Sequence, residues 1–160
     1  MFNIGDYVVH KKTICTIEKI KENYFRGNDY YVLKPIKDTT LVINVPVENN
    51  VLRKPLSKEE VENMINSIPS IEPISTNDRF IENEYRELLN TNRHEDLIKI
   101  IKTTYLRNKE RLDNNKKESS KDSEFFKLAE EYLYNEFAIA LGLTFDETKE
   151  YVIEKVTSIA

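Results

Sequence analysis

The chain has 160 residues, of which 39% are hydrophobic and 32% charged, and its formal net charge at pH 7 is −4. These values are typical of a soluble protein with one domain or two small ones. The longest apolar runs are too short to span a membrane, and the residues after Met1 do not have the pattern of a signal peptide, so we expect a cytoplasmic location. Cys15 is the only cysteine, which excludes an internal disulfide and favours a small buried side chain.

The charges are distributed unevenly along the chain. Residues 93–117 contain eight Lys and Arg against four Asp and Glu, whereas the flanking segments 57–92 and 118–160 are acidic. A basic block between two acidic ones is typical of a surface with one side that faces phosphates. A helix with a solvated charged face explains the same pattern, so charge alone does not decide between them.

The first 54 residues have the β-branched and aromatic composition of short strands. Gly27 lies in a sequence typical of a hairpin turn, where a residue must often adopt a positive φ. Glycine takes a positive φ without steric cost. We predict strands over residues 7–10, 14–20, 30–34, 40–45 and 51–53. Five strands in so short a segment predict a small SH3- or Tudor-like β-barrel, a form that limits exposed edges.

The hydrophobic period changes from 2 to 3.6 near Leu56, which predicts a domain boundary between 1–54 and 57–160. A capping box of Ser57 and Glu60 opens the first helix. We predict further helices over about 78–90 and 94–112, from Asp122 or Ser123 to Gly142, and after a second capping box of Thr144 and Glu147. On the third helix we expect an inward stripe of Leu97, Ile98, Ile101, Tyr105 and Leu112. The fold class is therefore α+β, a five-stranded β-barrel followed by a five-helix domain.

Residues suited to catalysis or metal binding are scarce. The two histidines, His10 and His94, lie at a predicted strand end and a predicted helix start. The sequence has no C-x-x-C or H-E-x-x-H spacing and no glycine-rich phosphate loop. We predict a binding protein without catalytic residues, metal or cofactor, and keep an enzyme with an unrecognised site as an alternative.

Two features indicate binding surfaces. Basic side chains along the third helix could neutralise phosphates with little sequence preference and a steep salt dependence; they include Lys99, Lys102, Arg107 and Lys109. Tyr24, Phe25, Tyr30 and Tyr31 are more aromatic rings than so small a core can bury. Either they cover both faces of the sheet, or they flank an exposed strand edge that pairs with a partner.

Several segments resemble those of a known family. Residues 4–9, 30–35 and 45–49 resemble the amino-terminal domain of CarD/CdnL-type transcription regulators, to which a domain of the transcription-repair coupling factor is related. Residues 97–102 and 129–138 are similar to the carboxy-terminal part of the version common in clostridia and their relatives.

The resemblance implies that the barrel binds the β subunit of RNA polymerase by extending a strand. The polymerase-binding positions it implies are Lys21, Asn23, Tyr24, Arg26, Val42 and Asn44. It also implies that the helical domain contacts promoter DNA at the upstream edge of the transcription bubble and stabilises the melted promoter. The family's tryptophan wedge has no counterpart, because the chain has no Trp, and its place would be taken by Ile74 or Phe80.

The DNA-binding positions expected on this basis and from the basic stripe are Ile74, Arg79, Phe80, Lys99, Lys102, Arg107 and Lys109. The alternative is an interaction module that competes for the polymerase β site without touching DNA.

Overall fold

A computed structural model describes residues 1–159. Its contacts divide the chain into two compact units, Met1–Pro55 and Leu56–Ala160. Ala160, the last residue of the predicted helical domain, lies outside the described residues. The first unit contains a five-stranded antiparallel sheet and the second contains five α-helices, which confirms the predicted α+β composition. None of the helices in the described residues is long and apolar enough to cross a membrane.

The sheet has the strand order β4-β3-β2-β1-β5, so β4 and β5 are its two edges. Its strands are β1 Tyr7–His10, β2 Thr13–Phe25, β3 Asn28–Pro35, β4 Ile43–Pro46 and β5 Leu52–Arg53. Within residues 1–159 the two edge strands do not pair with each other, so the ladder is open and closure into a barrel stays a prediction.

Strand β4 is shorter than the predicted strand over 40–45. The backbone N–H and the hydroxyl of Thr40 both donate to Asp38 Oδ1, and the Leu41 N–H donates to the Asp38 carbonyl. These local bonds form a turn that competes with the ladder, so pairing begins only at Ile43.

One face of the sheet forms the core of the first unit. The core is made of Val8, Cys15, Ile17, Tyr31, Leu33 and Val45. Cys15 is buried as predicted, and burial raises the pKa of its thiol. Gly27 has a φ of +77° in the turn between β2 and β3, which confirms the predicted hairpin.

The helices of the second unit are α1 Lys58–Ser67, α2 Ile81–Leu89, α3 His94–Asp113, α4 Ser120–Leu141 and α5 Phe145–Ile159. Both predicted capping boxes are present. The Ser57 hydroxyl accepts from the Glu60 N–H while the Glu60 carboxylate accepts from the Ser57 N–H, and Thr144 and Glu147 repeat the arrangement. Gly142, with a φ of +67°, ends α4 as predicted.

Two helix starts differ from the predictions. Helix α2 begins at Ile81 because Asn77 forms a turn, in which its side chain and its carbonyl accept from the N–H groups of Arg79 and Phe80. Helix α4 begins at Ser120, and its N-cap is Ser119, whose hydroxyl accepts from the Asp122 N–H. The connection between α3 and α4 is therefore shorter than the predicted helix bounds imply.

The inward face of α3 also differs from the predicted stripe. Tyr105 and Leu112 are 57% and 52% exposed, whereas Ile100 is fully buried. Near Tyr105, the buried residues of α3 are polar, and their side chains form hydrogen bonds within the unit. The Thr104 hydroxyl donates to the Ile100 carbonyl, and the Asn108 amide donates to Ser123 Oγ. The prediction that Tyr105 and Leu112 face inward was wrong, because Thr104 and Asn108 occupy the buried positions at this part of α3 instead.

Candidate interaction surfaces

The outer side of β4 is an edge of the sheet, with no strand of residues 1–159 paired to it. The Val47 N–H donates to the Asp29 carbonyl, and the ladder then pairs Tyr31 with Val45 and Val32 with Asn44. Hydrogen-bonded and non-hydrogen-bonded pairs alternate in an antiparallel ladder. The N–H and C=O of Asn44 therefore point away from β3, toward the open edge.

Residues 21–30 form a hairpin tip whose exposed surface is aromatic and cationic. The Tyr24 and Tyr30 rings meet edge to face with their centres 5.4 Å apart. Lys21 Nζ lies 4.3 Å from the centre of the Tyr24 ring, and the Arg26 guanidinium carbon lies 5.1 Å from that of Phe25. Such stacking holds the two cations against flat apolar surface while it leaves them accessible.

The six predicted polymerase-binding residues lie on one side of the sheet. Lys21, Asn23, Tyr24 and Arg26 belong to the hairpin tip, and Asn44 lies on β4 with Val42 just before it. The register places Pro46 opposite Tyr30, so the far end of β4 adjoins the base of the hairpin tip. Asn44 lies opposite Val32 and Val42 lies further from the hairpin tip, so the six positions are spread along neighbouring strands at the opposite edge of the sheet from β5.

The predicted DNA-binding cations of α3 fall into two groups. Lys102 Nζ donates to the Ile71 carbonyl at 2.7 Å, and Arg107 binds both Asp122 and Asp78. Lys99 and Lys109 make no ion pair with any residue in the described part of the chain. The structure therefore leaves Lys99 and Lys109 available to a partner, while Lys102 and Arg107 already bind acceptors within the unit.

Arg107 is part of a network around a buried carboxylate. Asp122 is only 2% exposed, and its two oxygens accept from Tyr85 Oη at 2.8 Å and from Arg107 Nε at 2.9 Å. Burial, together with the hydrogen bond to Asp122, raises the pKa of Tyr85. Burial acts to lower the pKa of Arg107, but its hydrogen bonds to Asp78 and Asp122 outweigh burial and raise it. The hydrogen bond from Arg107 lowers the pKa of Asp78.

The two candidates for an apolar wedge have different surroundings. Ile74 is half-buried against the helical core, and its N–H donates to Thr103 Oγ1 at 2.9 Å. Phe80, just before α2, is 51% exposed, and the Arg79 guanidinium carbon lies 5.7 Å from its ring centre. Of the two, Phe80 is the side chain that presents its apolar surface to solvent.

The two histidines lie apart from these surfaces. Burial lowers the pKa of His10, with a smaller contribution from Lys11. His94 Nε2 lies 2.9 Å from Glu136 Oε1, and Glu136 Oε2 accepts from the Leu56 N–H, so this pair joins the start of the helical unit to α4. Residues 1–159 contain no group of three or more His, Cys, Asp and Glu side chains placed to hold a metal ion.

A groove between α3 and α4 was missed at the sequence level. Its cavity volume is about 340 Å³, and Tyr105, Leu112 and Phe126 supply its apolar surface. The apolar spacing of Tyr105 and Leu112 resembles that of core residues. The signal that could have revealed the groove is the polar pair Thr104 and Asn108 on the neighbouring inward positions.

Residues 2–58 match the family model of the CarD-like/TRCF RID domain. The N-terminal unit therefore belongs to this family. The match covers all five strands and stops at the first residue of α1, so the predicted resemblance is confirmed for the CarD-like domain, and the helical unit lies almost wholly outside it. No match to a curated protein was found for the chain.

Proposed function

We propose that the chain is a transcription regulator whose CarD-like domain docks on the β subunit of RNA polymerase. The RID-domain match is the observation that carries this proposal. In the docked state the open edge of β4 pairs with a strand of the polymerase, and the Asn44 N–H and C=O make the central backbone bonds.

The side chains of the hairpin tip determine the specificity of this docking. Backbone pairing alone discriminates poorly among strands, so specificity comes from side chains beside the edge. Exposed aromatic and arginine side chains are the residue types that dominate interface energies. Tyr24 and Arg26 at the hairpin tip are of these types, and Lys21 adds a second cation.

The helical unit contacts promoter DNA in this proposal. Lys99 and Lys109 neutralise phosphates, because each has no ion pair in the described residues and each lies on the basic helix α3. Arg79 and Phe80 approach the minor groove, where an apolar side chain can enter a base step and an adjacent cation can bind the backbone. Contacts of this kind modulate the stability of a melted promoter without strong sequence preference.

Binding of the chain to purified polymerase β subunit tests the docking step. The Asn44→Pro variant removes the N–H from the open side of β4 and leaves the bonds to β3 intact, and it should weaken binding about tenfold or more because an acceptor on the partner loses its donor. Asn44→Ala is the matched control, since it removes the side chain and keeps the N–H. Circular dichroism checks that both variants fold. Wild-type affinity in a folded Asn44→Pro variant would contradict edge pairing.

Footprinting of a polymerase–promoter complex with and without the protein tests the DNA contact. The proposal expects added protection at the upstream edge of the bubble, and loss of that protection in the double variant Lys99→Glu, Lys109→Glu. If the double variant changes the promoter complex as the wild type does, the chain acts as a protein-interaction module at the polymerase β site without touching DNA.

A further inference from the structure

We propose that the groove between α3 and α4 binds an unpaired base of single-stranded DNA by stacking it against Tyr105. The inference rests on the proposed function for the source of the strand, because a melted promoter exposes unpaired bases. The groove is a different surface from the one that carries Arg79 and Phe80.

The groove has the size for a flat apolar group. Its volume of about 340 Å³ lies at the lower end of the range typical of small-ligand sites. Tyr105 and Leu112 stand one above the other on α3, two turns apart, and Phe126 of α4 lines the groove with them. Tyr105 is among the most exposed large apolar side chains of the unit, so its ring is accessible to a ligand.

The polar groups at the bottom of the groove are already satisfied. Asn108 donates to Ser123 Oγ at 3.1 Å and accepts from the Ser119 N–H at 2.8 Å. These bonds fix the side chains between the two helices and leave little polar surface for a ligand to satisfy. The groove therefore favours a ligand with an apolar planar face over a sugar or another strongly hydrogen-bonding molecule.

The charge beside the groove favours a nucleic acid strand. Lys109 lines the groove, and Lys116 and Lys117 follow α3; none of the three side chains has an ion pair within residues 1–159. Arg111 Nε donates to the Lys117 carbonyl at 2.7 Å, and this bond holds the backbone at Lys117 against α3. The ammonium group of Lys109 lies beside exposed rings, and cations on the phosphates with rings on the bases are the combination by which proteins bind single strands.

The groove also contains an acceptor for the edge of a base. Glu118 lines the groove, and its Oε2 accepts from Ser123 Oγ at 3.3 Å. Its other carboxylate oxygen can accept from the amino group of a cytosine or an adenine. The groove thus places a hydrogen-bond acceptor beside the rings that would stack on the base.

Fluorescence anisotropy with the full chain tests the proposal, with a short labelled single strand of mixed sequence and its duplex as probes. The Tyr105→Leu variant keeps an apolar side chain but loses the ring, and it should weaken single-strand binding about fivefold or more. Tyr105→Phe keeps the ring and should bind as the wild type does. Leu106→Ala, at the next exposed position of α3, is the matched control and should leave binding unchanged.

The possible results separate this inference from the proposed duplex contact. Single-strand binding that depends on the Tyr105 ring supports base stacking in the groove, even if the chain does not bind the duplex. Equal single-strand binding by wild type and Tyr105→Leu overturns the inference, as does a wild type that binds the duplex but not the single strand. A strong preference for RNA of the same sequence over DNA would also overturn it, because it would assign the groove to a transcript.

Discussion

Arg107 Nε lies 2.9 Å from Oδ2 of Asp122, a carboxylate that is almost completely buried. The same guanidinium binds Asp78 in front of α2, and the other oxygen of Asp122 binds Tyr85 on α2. One arginine of α3 thus connects α2, α4 and the segment that carries Phe80. Its positive charge is matched by two carboxylates, so its main role is to hold the helical unit together.

Replacement of Arg107 by Gln should lower the free energy of unfolding by about 3 kcal/mol, because it leaves the buried Asp122 carboxylate without its cation. Urea denaturation of the variant and the wild type measures the change. Lys109→Gln removes a positive charge from the same helix where no ion pair is present, and it should change stability by less than about 0.5 kcal/mol. Equal stability of the two variants would show that the Arg107–Asp122 contact contributes little.

In DNA binding, Lys109→Gln should have the larger effect of the same two variants and Arg107→Gln the smaller one. A cation that contacts a phosphate contributes about one unit to the slope of log affinity against log salt concentration. We expect Lys109→Gln to reduce this slope by about one unit, and a folded Arg107→Gln variant to keep the wild-type slope. Titrations of duplex DNA at several salt concentrations provide the measurement. A reduced slope for Arg107→Gln alone would assign the phosphate contact to Arg107.

The contrast between Arg107 and Lys109 shows what the sequence of α3 can and cannot predict. Helical periodicity places both residues on the helix with the correct boundaries within a residue or two. It cannot predict that Asp122, fifteen positions later, is buried and binds Arg107. Nor can it predict that the Ile71 carbonyl accepts a hydrogen bond from Lys102. These partners come from other elements, and only the packing of the unit brings them into contact.

Features that depend on neighbours in sequence were predicted more successfully. The two capping boxes, the Gly27 turn and the Gly142 helix end each require only a few adjacent residues, and all are confirmed. The shortening of β4 also has a local cause, the turn formed by Asp38 and Thr40, whose side-chain bonds could have indicated it. The free edge of β4, in contrast, follows from the order of all five strands.

The capping box at Ser57 supplies a prediction on the stability of the helical unit. Ser57→Ala should cost about 1 kcal/mol of unfolding free energy, because the N–H of Glu60 loses its acceptor. Ser57→Gly should cost only a few tenths of a kcal/mol, since water can then reach the same N–H. Thermal denaturation of the three proteins measures both differences. If Ser57→Ala is as stable as the wild type, the hydroxyl of Ser57 does not act as a cap in solution.

Glu130 gives the helical unit a pH dependence of stability with a defined sign. Its side chain is on α4 at only 7% exposure, and burial raises its pKa above the usual 4.5, although Lys149 Nζ at 3.3 Å from Oε1 opposes the shift. The folded state therefore binds the Glu130 proton more tightly than the unfolded state does. This contribution to stability is fully present below pH 4.5 and is lost as the pH rises through the raised pKa.

The Glu130→Gln variant, which is always neutral at this position, should gain stability relative to the wild type as the pH rises from below 4.5 to 7. Denaturation of both proteins across this range measures the difference at each pH. Glu150→Gln removes one negative charge from an exposed site on α5 and is the matched control for net charge. If the variant instead loses stability relative to the wild type as the pH rises, the attraction of Lys149 outweighs the cost of burying the Glu130 carboxylate.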